Sequence, residues 1–107
     1  MGKIEEIIWR MLRGEATTDD LKSFNIYNIY YIYMSLYELK RRIEKLAEKQ
    51  SQLCVYLERI DRWIKRIHPL IKNLDVCYGL LKASLIIAED VSEEIIRKLV
   101  AETLSAS

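Results

Sequence analysis

The sequence predicts an all-α bundle of about four to five helices, one or two of them long. Three observations carry that prediction. Apolar residues recur at alternating steps of three and four over most of the chain, which is helical periodicity. Only three Gly and one Pro occur among 107 residues, so the turns that a sandwich or barrel needs are missing. Half the residues are hydrophobic and 31% are charged, a globular composition with enough length for one core. Residues 1–107 are therefore read as a single helical domain.

The elements follow in chain order. Residues 3 to 13 place Ile4, Ile7, Ile8, Met11 and Leu12 on one face, and Gly14 is the natural stop. "EATTDD" is a loop in which Thr18 is expected to cap a short turn through residue 23. Ser23 or Asn25 caps the next helix. That helix opens on "NIYNIYYIY", rich in residues that favour strands. Its apolar positions nevertheless run Ile29, Ile32, Leu36, Leu39, Ile43 and Leu46. Periodicity outweighs β-propensity here. The same register continues through Leu53, Leu57, Ile60, Ile64, Ile67, Ile71, Leu74, Tyr78, Leu81 and Leu85, with Gln50 as its one plainly polar member.

A seam from residue 29 to 85 must fold back to find a partner. "QSQ" at 50 to 52 is the expected helix–helix turn. Pro69 is expected to kink or end a helix, and Gly79 is a further weak point. Ser92 is the expected cap of a last helix, followed by Glu93 and Glu94 and flanked by a Val91–Ile96 staple.

Charge is unevenly spread, although the net is only +1. Residues 1 to 39 carry −2, residues 40 to 72 carry +6, and residues 85 to 107 carry −3. In the basic middle, Arg59, Arg62 and Arg66 share one helical face, with Lys65, Lys72 and His68 near it. Such a stripe suits phosphates of DNA or RNA. The bland alternative is a solvated face paired with Glu58, Asp61 or the acidic ends.

Tyr27, Tyr30, Tyr31 and Tyr33 widen the apolar stripe of their helix while keeping hydroxyls near water. With Trp63 they are candidate interface residues. The alternative is a purely intramolecular bundle with Tyr at its rim. Partners are expected to be other protein subunits, a second copy included, with nucleic acid possible through the basic stripe.

Catalytic chemistry finds little support. One His, with no Gly-rich phosphate loop and no G-x-S-x-G motif, leaves no catalytic residue, metal or cofactor to assign. Cys54 and Cys77 lack zinc spacing and sit among apolar neighbours. Buried reduced thiols are expected, and with them a cytoplasmic setting. No apolar run reaches the roughly 18 residues of a membrane span. The acidic, amphipathic start does not read as a signal peptide. Abundant Ile, Lys, Glu and Tyr suit a thermophile.

Two resemblances add expectations. Arg62 and His68 in "RWIKRIH" fit the R-x(4–6)-H pattern of HEPN-type ribonucleases, which are small helical bundles. That resemblance implies His68 as acid/base and Arg62 as a phosphate stabiliser. A second covers about residues 3 to 102. "KIEEIIWRML", the aromatic "SFNIYNIYYIYMSLYEL", the charged "LCVYLERIDRWIKRIHPLIKNL" and "EDVSEEIIRKLV" together resemble the helical A-domain of archaeal GINS subunits. This chain departs from that family at "DVCYGLLKASLII", where only Lys82 stands in for the family's basic residues. The resemblance implies an archaeal, non-enzymatic assembly subunit that scaffolds DNA replication factors through protein–protein contacts.

Overall fold

A computed structural model describes residues 2–106. Four α-helices and two short 3-10 turns account for nearly all of them, with no strand among the described residues. The predicted all-α bundle is therefore the fold.

Helix α1 spans Gly2–Leu12 and buries Ile7, Ile8, Met11 and Leu12, four positions of one face. It ends where Gly14 takes φ +77, the left-handed conformation that glycine adopts without a Cβ penalty. A 3-10 turn, Thr18–Ser23, follows. Its cap is Thr17 rather than Thr18. The Asp20 carboxylate accepts the Thr17 amide at 2.7 Å and closes a capping box. That bond holds the Asp20 carboxyl below its usual range, with Arg10 helping at 3.3 Å.

Helix α2 spans Ile26–Ala47, and the Asn25 side chain caps it by accepting the Asn28 amide at 2.8 Å. The "QSQ" turn is present as a 3-10 turn, Ser51–Leu53. Helix α3, Cys54–Ile71, runs through Pro69 and stops two residues later. Pro69 thus sits in the last turn, and its missing amide and its ring leave the helix only two more residues to run. Helix α4, Tyr78–Ala106, is a single helix of 29 residues. Gly79 lies in its first turn, and Ser92 is a buried interior residue, not a cap.

Helix α2 is the spine. Lys40 pairs with Asp61 at 2.8 Å and the Tyr33 ring lies 6.3 Å from His68, so α3 runs antiparallel along one flank. The Ser92 hydroxyl donates to the Ser35 carbonyl at 3.4 Å, which places α4 along the other flank. Helix α1 crosses and touches all three. One end is tied to α3, where the Arg59 guanidinium donates to the Leu12 carbonyl. The other is tied to α4, where Lys98 pairs with Glu5. Ile32, Leu36, Leu39, Ile43, Ile60 and Ile67 are fully buried at the centre. Burying each contributes roughly 1.5–3 kcal/mol.

The long register splits at this point. Its members from Ile29 to Ile71 face the core, Leu46 and Leu57 partly. Its last three do not: Tyr78 is 80% exposed, Leu81 38% and Leu85 47%. Helix α4 instead buries a second stripe, Ser84, Ala88, Val91, Ser92, Ile95 and Leu99. The cysteines also depart from expectation. Cys54 and Cys77 are both free and exposed, and so are their apolar neighbours Val55 and Tyr78.

Candidate nucleic-acid interface

Helix α3 positions the basic stripe. Its inner face is fixed by Ile60, Trp63, Ile64, Ile67 and Ile71. A helix advances about 100° per residue, so residues 62, 65, 66 and 69 turn away from that face. Arg62, Lys65, Arg66 and Lys72 are accordingly exposed.

The acidic partners that would neutralise this face are elsewhere. Asp61 is engaged by Lys40 of α2. Helix α4 keeps Glu93 and Glu94 for its own Arg97. Among the described residues, ion pairs occupy Arg10, Arg13, Lys22, Lys40, Arg41, Arg42, Arg97 and Lys98, and none involves Arg59, Arg62, Lys65, Arg66 or Lys72. The face is therefore an uncompensated line of cations. Glu58 is exposed on the same helix, and Asp75 is exposed just beyond its end.

The five predicted contacts are not equivalent. Arg59 is half-buried. It donates to the Leu12 carbonyl, stacks 5.9 Å over Tyr56 and lies 3.7 Å from where a Cβ on Gly14 would stand. Its charge terminates α1, where a cation complements the helix dipole. Arg66 lies 5.0 Å over the Trp63 ring, a cation–π contact that orients the guanidinium without neutralising it. Arg62, Lys65 and Lys72 have no such anchor.

Trp63 itself is 4% exposed and belongs to the core. The ring expected at an interface is therefore packed in the core of the bundle, with the Arg66 guanidinium over it. The tyrosines divide. Tyr27 is 50% exposed, Tyr31 is half-buried, and Tyr30 and Tyr33 pack against the core. Tyr33 meets Tyr37 edge-on at 5.0 Å, with the hydroxyls 3.4 Å apart. Burial, reinforced by the Tyr37 hydroxyl, pushes the Tyr33 phenol up to about 12.

Arg62 and His68 do not converge. Six residues at about 100° each put them roughly 120° apart on α3, with His68 beside Tyr33 and Arg62 on the outer side. No group of three or more potential metal ligands occurs among the described residues. No helix is long and apolar enough to cross a membrane. A surface hollow of about 640 Å³ is an open groove between α2 and α4 with Met34, Tyr37, Arg41, Leu85, Ala88 and Glu89 in its walls.

What the sequence missed is the assignment of Arg59, whose partner lies 47 residues away. No local signal points to it. No protein-family model, curated protein or solved structure matches this chain.

Proposed function

We propose that this chain is a non-enzymatic binding protein that engages a nucleic-acid backbone through the outer face of α3. One observation carries the reading: Arg62, Lys65, Arg66 and Lys72 are exposed on one helix with no carboxylate paired to any of them. Cations left unpaired in a chain of net charge +1 concentrate positive potential on one surface, and phosphates are the common ligand for such a surface. With no groove-reading motif present, the binding is to backbone rather than sequence.

The test is fluorescence anisotropy of a labelled DNA duplex across a salt series. Arg62→Ala/Lys65→Ala/Arg66→Ala should flatten the log–log salt slope by about 2.7, at roughly 0.9 per lost phosphate contact. Arg59 is left intact because it holds α1. Binding absent at low salt, or unchanged in the triple variant, defeats the reading.

An assembly role, as the resemblance to GINS subunits implies, is the second reading. It draws on different residues, the exposed Tyr27 of α2 and the exposed apolar side chains of α4. It requires that Tyr27→Ala weaken a stoichiometric complex while leaving the melting temperature in place.

A further inference from the structure

The first half of α4 carries an apolar face that nothing within the chain covers. Tyr78, Leu85 and Ile86 are 80%, 47% and 54% exposed. At about 100° per residue, Lys82 and Glu89 lie on the centre line of that face, with Leu85 to one side and Ile86 to the other. Both charged residues are exposed and neither forms an ion pair among the described residues.

The order of these residues is self-complementary. A two-fold interface brings the same patch together from both copies, so each group must meet its complement after reversal. Take the midpoint between Leu85 and Ile86. Lys82 lies 3.5 positions before it and Glu89 the same number after it, about 5 Å to either side at 1.5 Å per residue. An antiparallel pair about that midpoint sets Lys82 against Glu89 of the second copy, twice. Leu85 then meets Leu85 of the second copy on one flank, and Ile86 meets Ile86 on the other.

We infer that the first half of α4 is the interface of a homodimer, in which two copies pack antiparallel about a two-fold axis between Leu85 and Ile86. The inference does not rest on the basic face of α3, which remains outward on both copies. Arg41 faces Glu89 across the groove without forming an ion pair, so Glu89 is available to the second copy.

Sedimentation velocity from micromolar to near-millimolar concentration tests this. A species of twice the single-chain 12.7 kDa should grow in with concentration. Lys82→Glu and Glu89→Lys should each raise the dimer Kd about tenfold, since each turns two attractive pairs into repulsive ones. The double exchange Lys82→Glu/Glu89→Lys should restore it, a result that misfolding could not produce. In a background of Cys54→Ser and Cys77→Ser, Leu85→Cys should form an intermolecular disulfide on mild oxidation. A chain that stays single at every concentration overturns the inference. So does a dimer that is indifferent to both charge exchanges, or one that fails to cross-link through residue 85.

Discussion

Ser35 offers the sharpest test of the packing between α2 and α4. It is wholly buried, and its hydroxyl has no hydrogen-bond partner among the described residues. A buried hydroxyl left unsatisfied costs about 1–3 kcal/mol. Ser35→Ala removes that cost. It also gains about 0.5 kcal/mol of helix propensity. The void left by one oxygen costs a few tenths of a kcal/mol at about 24 cal/mol per Å³. The Ser35 carbonyl still accepts the Ser92 hydroxyl, so the contact between helices survives. The balance is a stabilisation of about 1–3 kcal/mol, or roughly 4 °C or more in melting temperature for a domain of this size. Urea unfolding followed by circular dichroism should show a higher midpoint at unchanged m. Ser84→Ala is the control. Its hydroxyl already donates to the Leu80 carbonyl at 2.7 Å, so its change should stay within about 0.5 kcal/mol. If Ser35→Ala instead lowers stability by 1 kcal/mol or so, the hydroxyl has a partner, and the reasoning fails.

Three further outcomes follow from the same contacts. Arg59→Ala should lower stability by about 1–3 kcal/mol, because it orphans the Leu12 carbonyl, while Arg62→Ala should stay within about 0.5 kcal/mol; thermal melts of the two variants decide it. Gly14→Ala should cost about 1–2 kcal/mol, since φ +77 is unfavourable for any residue with a Cβ, whereas the nearest side-chain atom, 3.7 Å away, leaves room for the methyl itself. Hydrogen bonds from Arg41 and Arg42 hold the Glu38 carboxyl below its ordinary 4.5. A folded-state pKa below the unfolded one means stability that is present above 4.5 and lost as pH falls through the folded value. Glu38→Gln should therefore flatten the acid limb of a melting-temperature profile and leave its neutral region nearly parallel.

Periodicity made the helices legible, because one buried face per helix is a strong and local signal. The strand-favouring residues of α2 did not obscure it, since Ile29, Ile32, Leu36 and Leu39 keep the helical step. The start of α4 was less legible. "VSEE" is a sound N-cap pattern, but "LLKASLIIAED" before it already favours a helix, so the helix passes straight through Ser92. That serine is small where α2 comes close, a pairing that no sequence window contains. The same limit governs the site. The line of cations on α3 is visible in the sequence, but which of them is spoken for depends on where α1 and α2 come to rest. Arg59 is claimed by Leu12, and Asp61, the natural neutraliser of that face, is claimed by Lys40.

Because α3 and α4 both lean on α2 and barely meet each other, they inform one another energetically through α2 and through the crossing α1. Ile67 on α3 and Ile95 on α4 both belong to the core around α2, on helices that make little contact with each other. Truncations at the two sites should simply add, within about 0.5 kcal/mol. Ile32 and Leu36 on α2 are different. A change there is felt through neighbours that both flanks share, so a double-mutant cycle pairing either with Ile67 or Ile95 should show coupling. The cooperativity of this small bundle thus runs through α2 and the crossing α1 rather than through direct contact between α3 and α4.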